Sequence, residues 1–345
     1  MNMDDITAKI STHQENDMSI KTDRFKLLRI IFFCVLLVTA FALPFLLGGY
    51  KLYLVTQVLI YSIVILSLNL LLGYNGQASL GHGAFYAIGG YSAAVLMTQF
   101  GVPYWATVPL SGVVCFIVGF LIGFPALRLK MLYLALVTFS LAMAVPQILK
   151  NKAVEKWTGG VQGLILDKPV PPSWLPFDSD QWLYIMALIP VIVLVVIASN
   201  LVRGCVGRAI EAIRDQPIAA DTMGINTAKY KTIMFGISAL YTGIAGALAA
   251  LLNQFVSPDS YGFFLSFTFL AGSVLGGLTS IMGAFFGAIF MVFLPNLAET
   301  FSKDAPWAVY GLFLIAIVFL MPNGVAGLIR SGLERLQKIL NTGNR

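Results

Sequence analysis

From Leu52 to Leu127 the chain carries no Asp, Glu, Lys or Arg. A helix needs about 20 apolar residues to cross ~30 Å of hydrocarbon, so this stretch holds more than one membrane span. The rest of the chain agrees: 58% of residues are hydrophobic, 11% are charged and the mean hydropathy is +0.84. That profile belongs to a polytopic membrane protein.

Hydropathy places spans at 28–49, 52–73, 83–99, 105–127, 131–149, 181–202, 232–253, 262–278, 281–298 and 306–328. The expected fold is all-α, a transmembrane bundle of about ten spans, with 83–99 and 262–278 the shortest. A cytoplasmic N-terminus puts Lys9–Arg29, Arg128, Lys130, Arg203–Lys231 and Arg330–Arg345 inside. Only Lys51, Lys150, Lys152, Lys156, Lys168 and Lys303 then fall outside. This is positive-inside topology, so the net charge of +6 does not point to nucleic acid. Cys34, Cys115 and Cys205 have no metal or disulfide spacing and read as small apolar fillers.

The chain divides into a polar cytoplasmic tail (1–27), a transmembrane domain (28–329) and a basic cytoplasmic tail (330–345). Thr39-Ala40-Phe41-Ala42 has the look of a signal-peptidase site, but the long polar leader favours an uncleaved anchor. The external segment 150–180 carries WTGGVQG and Pro169, Pro171, Pro172 and Pro176; it reads as a rigid lid or docking surface. Gly83-Ala84-Phe85-Tyr86 is echoed by Gly283-Ala284-Phe285-Phe286, as repeated transporter halves or by chance. Gly119/Gly123, Gly272/Gly276 and Gly283/Gly287 are small-xxx-small pairs, suited to intrachain packing or, as the alternative, to a dimer seam.

No span core contains a carboxylate, lysine or arginine, whereas proton- or sodium-coupled carriers usually keep ionisable groups near the midplane. There is no Walker-type GxxxxGK(S/T) segment either. The energy for any transport must come from elsewhere, and a docked ATPase fits.

The place for docking is the cytoplasmic stretch 203–231. It reads as two short amphipathic helices. Ala209, Ile210 and Ile213 form an apolar stripe, and Arg208, Glu211, Arg214 and Asp215 line the polar face. Pro217 suits a first turn, Gly224 can close the second helix, and Thr227 is the expected cap of the next span. The alternative is a plain solvated loop.

Several segments together resemble branched-chain amino acid ABC permeases of the LivM type. They are LNLLLGYNGQASLGHGAFYAIGGYSAAVL (Leu68–Leu96), WTGGVQGL (Trp157–Leu164), GRAIEAIRDQPIAADTMGIN (Gly207–Asn226), GISALYTGIAGALAA (Gly236–Ala250), LGGLTSIMGAFFGA (Leu275–Ala288) and PNGVAGLI (Pro322–Ile329). The resemblance implies an ABC importer permease fold in a bacterial inner membrane. Its implied partners are a second permease of LivH type, two cytoplasmic ATPases that hydrolyse the ATP, and an external solute-binding protein. This chain itself would bind no cofactor. The implied cargo is leucine, isoleucine and valine. Urea or short amides, carried by the wider family, are the alternative, and an ion-coupled amino acid carrier is a more distant one.

The same resemblance makes the cytoplasmic helices the ATPase-coupling element, with Gly207, Arg208, Glu211, Ala212, Arg214, Ala219, Ala220 and Gly224 as its residues. Ala219, Ala220 and Gly224 match the EAAxxxG pattern of permeases; Ile218 stands where the acid is expected, and Glu211-Ala212 is the candidate replacement.

For the substrate path, Asn75, Gln77, Ser79 and His82 form an uncharged polar cluster flanked by glycines. A helix broken there would offer dipole ends to a zwitterion. An ordinary polar turn at the cytoplasmic face is the alternative. Tyr133, Thr138, Ser140, Tyr241 and Thr242 are secondary candidates, and Met143 replaces a glutamate common in the family.

Overall fold

The structure, a computed structural model, describes residues 37–126, 131–172, 175–301, 305–321, 324–328 and 331. The expectations for residues 1–36, Arg128, Lys130, Lys303, Pro322, Asn323 and the basic residues of the C-terminal tail lie outside these.

Two units are distinguished. The first, Met1–Leu52, contributes the short apolar helix α1 (Leu37–Leu46). The second, Tyr53–Arg345, begins within α2 (Tyr50–Leu68), which runs on as a π-helix, Asn69–Tyr74. It continues through α3 (His82–Phe100), α4 (Tyr104–Ala126), α5 (Met131–Leu149) and the short α6 (Glu155–Thr158). Next come α7 (Ser179–Arg203), α8 (Cys205–Asp215), α9 (Pro217–Thr222) and α10 (Thr227–Asn253). The last three helices are α11 (Phe263–Gly276), α12 (Gly283–Phe301) and α13 (Pro306–Leu320).

Over the described residues a helix lies within each expected segment, but not all are long enough to cross a membrane. Five stretches are long and apolar enough to cross a membrane: Tyr50–Tyr74, Tyr104–Phe124, Ser179–Arg203, Thr227–Asn253 and Gly283–Thr300. The outward faces are apolar where lipid contact requires it. On α4, Leu110, Val113, Val114, Ile117 and Leu121 are exposed; on α7, Ile189, Val193, Val196 and Ile197 are.

Helix α10 is the hub of the second unit, packing most extensively on α4 and α3. Its small residues permit this. A Cβ at Gly89 would collide with the Gly243 carbonyl, one at Gly246 with the Tyr86 carbonyl, and one at Gly119 with the Ala239 side chain. In α11 and α12 the Cβ of Gly276 would meet the Gly283 carbonyl, and that of Gly287 the Gly272 carbonyl. The glycine pairs thus serve packing within the chain, drawing backbones together in the way small residues do in lipid. Rings fill the remaining space: Phe269 meets Tyr61 edge-on at 5.4 Å and Tyr86 at 5.3 Å.

The segment 150–180 is well tied. Leu164 and Ile165 (β1) pair antiparallel with Val256 and Phe255 (β2). Thr158 Oγ1 donates to the Leu149 carbonyl (2.8 Å), Lys150 pairs with Asp259, and Lys168 pairs with Asp180 at 2.7 Å. Asp178 starts α7 with a capping box completed by Gln181. One expected cap differs. Helix α10 is capped by Asn226, whose Oδ1 accepts from the Lys229 amide (2.9 Å), and Thr227 is its first helical residue. The extended backbone of Asn226 (φ −70°, ψ 90°) puts its side chain over the free amides, a geometry that a residue inside the helix lacks.

Gly89→Leu should lower the stability of the purified chain by at least about 1–3 kcal/mol through overpacking against Gly243. Gly311→Ala, which meets nothing within 4 Å, should leave it nearly unchanged. Unfolding midpoints of both variants in one detergent check the contrast.

Candidate functional site

The two short helices between α7 and α10 form as their apolar stripe requires. Ala209, Ile210 and Ile213 are buried, while Arg208 and Asp215 face outward and Glu211 and Ala212 are half-buried. Gly207 makes the tight corner with α7: a Cβ there would strike the Val202 carbonyl. Pro217 occupies the first turn of α9, where no amide is missed. Gly224, at φ +83°, ends it in a Schellman arrangement. Its own amide donates to Asp221 O (3.0 Å) and the Ile225 amide to Ala220 O (3.1 Å). Ala220 is buried and Ala219 exposed.

Two apolar side chains on α9 stand out from this polar surface, Ile218 at 80% and Met223 at 85% exposure. The sequence reading passed over both. Ile218 registered only as a departure from a pattern, although an apolar residue facing outward on a charged helix pair is itself a docking signal.

The break after α2 lies against this pair. The end of α2 widens into a π-turn, and the Asn75 and Gly76 amides both reach Leu72 O, while the Gln77 amide reaches Leu71 O at 3.0 Å. Gly73 O is taken by Arg214, whose Nη1 donates to it at 2.9 Å while Nε donates to Asp215 Oδ1 at 2.9 Å. Arg214 is therefore turned inward, toward the bundle. Gln77 Nε2 donates to Lys231 O at the start of α10 (3.0 Å). The glycine-rich segment 73–81 is thus held by the α8–α9 pair and the start of α10.

From there a polar seam runs between α2, α3 and α10. Ser238 Oγ donates to Ser67 O (3.0 Å), and His82 Nε2 lies 2.8 Å from the same Oγ. With the single Ser238 proton committed to Ser67, His82 must donate from Nε2, which leaves Nδ1 as a bare acceptor. Thr242 Oγ1 lies 2.9 Å from Ser67 Oγ and also bonds to Ser238 O. Thr138 Oγ1 accepts from the Leu80 amide (2.9 Å), Ser266 Oγ from the Gly83 amide (2.9 Å), and Ser79 Oγ from the Gly81 amide (3.3 Å).

Of the expected path residues, Asn75, Gln77, Ser79, His82, Thr138 and Thr242 are therefore buried close to this seam and its loop. Tyr241 is also buried but faces α7, donating to Leu194 O (2.9 Å). Tyr133, Ser140 and Met143 point outward from α5. Ser67, Ser238 and Asn69 were missed. Their signal was weak, because Ser and Asn inside apolar helices usually bond only to a neighbouring helix. Among the described residues no Asp, Glu, Lys or Arg is buried.

Broken, glycine-packed membrane helices, a buried uncharged polar seam and the α8–α9 helix pair together define a membrane permease subunit. The sequence profile described as the permease component of branched-chain amino acid transport systems matches residues 50–321, and the chain belongs to that family. It is 34% identical over 327 residues to the high-affinity branched-chain amino acid transport system permease protein LivM of Escherichia coli, covering 88% of this chain and 76% of that one. The LivM protein of Salmonella typhimurium matches equally, at 34% over 327 residues. A probable branched-chain amino acid transport permease LivH of Methanocaldococcus jannaschii is 25% identical over 298 residues, covering 81% of this chain and 93% of that one. No solved structure matches the chain.

Gly224→Ala has free space for the methyl group, so its effect is purely conformational: about 1–2 kcal/mol of local strain at φ +83°. Hydrogen exchange of the α9 amides should quicken by roughly tenfold, with α10 unaffected.

Proposed function

We propose that this chain is the permease subunit of an ATP-driven, binding-protein-dependent importer of leucine, isoleucine and valine. It would cross a bacterial inner membrane about ten times with both termini cytoplasmic. Its partners would be a second, LivH-type permease, two ATPases inside and a solute-binding protein outside, and it would bind no cofactor itself.

The observation that carries this is the family match over residues 50–321 together with a cytoplasmic helix pair that projects Ile218 and Met223. An apolar knob beside Arg208, Ala219 and Gly224 suits a cleft on a soluble partner. The segment Asn75–His82 and the seam behind it form the proposed cargo path. Binding there would rest on dipoles and hydroxyls, so most discrimination falls to the binding protein. The lack of buried Asp, Glu, Lys or Arg among the described residues disfavours a gradient-driven carrier.

Gentle extraction of the tagged chain from its native membrane should co-purify a second permease and ATPase subunits. ATP hydrolysis should rise when binding protein and leucine are added. Stimulation by urea instead would keep the assembly and replace the cargo; a chain isolated alone with gradient-driven uptake would refute the importer. In the assembled complex, Ile218→Asp with Met223→Asp should weaken ATPase retention by at least about tenfold.

A further inference from the structure

We infer that Arg214 is a positioning residue for transport, fastening the coupling helices to the π-helical end of α2 and, through Asn69 and Tyr74, to the α11–α12 turn. This rests on α8 and α9 being the ATPase-docking element proposed above.

An arginine on a cytoplasmic helix would ordinarily be left in water. Arg214 instead spends Nη1 on the Gly73 carbonyl, which the end of α2 leaves without an amide partner. A cation at a helix C-terminus also meets the negative end of the helix dipole. Asp215 holds the guanidinium from the other side. The approach is close enough to be shaped by glycine. A Cβ at Gly76, which sits at φ +68°, would come within 2.9 Å of Arg214 Cγ.

The same π-turn grips the second half of the chain. A Cβ at Gly73 would collide with the Leu278 carbonyl, so this residue is wedged between α8 and the α11–α12 turn. Tyr74 Oη donates to Thr279 O at 2.7 Å. Fully buried Asn69 uses its whole amide there: Nδ2 donates to Gly277 O (3.2 Å) and Ser280 O (2.8 Å), and Oδ1 accepts from Ser273 Oγ (2.6 Å). Ser280 in turn caps the first turn of α12 through the Gly283 amide (3.0 Å). Displacement of α8 therefore acts on α2, α11 and α12 together. Single-turn π-helices are interruptions that recur at functional sites, and this one is held at both sides by polar bonds.

The test uses the whole importer in lipid vesicles with its binding protein and leucine, measuring uptake and ATP hydrolysis on the same preparation. Wild type sets the ratio of the two; if it shows no ATP-dependent uptake, the importer reading falls and this linkage with it. Arg214→Ala is expected to keep its ATPases and its hydrolysis within about twofold while uptake per ATP drops about tenfold. Arg214→Lys should recover part of that loss, since one ammonium can reach Gly73 O or Asp215 but not both. Tyr74→Phe removes only the hydroxyl on Thr279 and should also lower uptake per ATP; it decides the question alone where Arg214→Ala yields too little complex. A purely structural role would reduce both activities in proportion. Uptake per ATP unchanged in Tyr74→Phe and Arg214→Ala, or loss of the ATPases from a folded Arg214→Ala chain, overturns the linkage.

Discussion

A backbone carbonyl that a helix break releases and the fold buries must find a partner within the protein. The interruption between α2 and α3 is where this constraint shapes the molecule. Arg214 closes on Gly73 O, Asn69 and Tyr74 cross to the α11–α12 turn, and Gln77 reaches the first turn of α10. The first three bonds tie α8 and the α11–α12 turn to one six-residue π-turn, and Gln77 ties the loop that follows it to α10. The arrangement explains why the break is glycine-rich. Gly73 and Gly76 let the backbone of one element sit directly against another.

The polar seam behind the break follows the same logic at smaller scale. Ser67, Ser238, His82 and Thr242 bond to one another between α2, α3 and α10, with His82 Nδ1 left over, and none carries a fixed charge. A seam of this kind, as the proposed cargo path, would meet a zwitterion with dipoles and not with fixed charges. The seam also contains no carboxylate, lysine or arginine. The exposed Ile218 and Met223 are where the proposed contact with an energy-supplying partner would fall.

Much of this was legible in the residues alone. The uncharged run from Leu52 to Leu127 announced membrane spans, and the Ala209, Ile210 and Ile213 spacing announced α8. Pro217 and Gly224 marked both ends of α9 because their backbone preferences are nearly unconditional. What stayed hidden depended on partners far away in sequence. Nothing local says that Arg214 turns inward to a carbonyl donated by residue 73, or that Asn69 reaches residues 273–280. The cap of α10 fell on Asn226 and not Thr227 because both are good capping residues and only backbone geometry separates them.

The most direct check is a pair of pulsed-EPR distances in the assembled importer. A spin label on the exposed native Cys205, with Cys34 replaced by Ser, pairs first with one on Met282→Cys and then with one on Val161→Cys. If the π-turn holds the coupling helices to the α11–α12 turn, the first distance stays constant within ~2 Å between nucleotide-free and ATP-trapped states, while the second changes by more. A first distance that shifts as much as the second would mean that the helix pair slides past the bundle, contradicting the account.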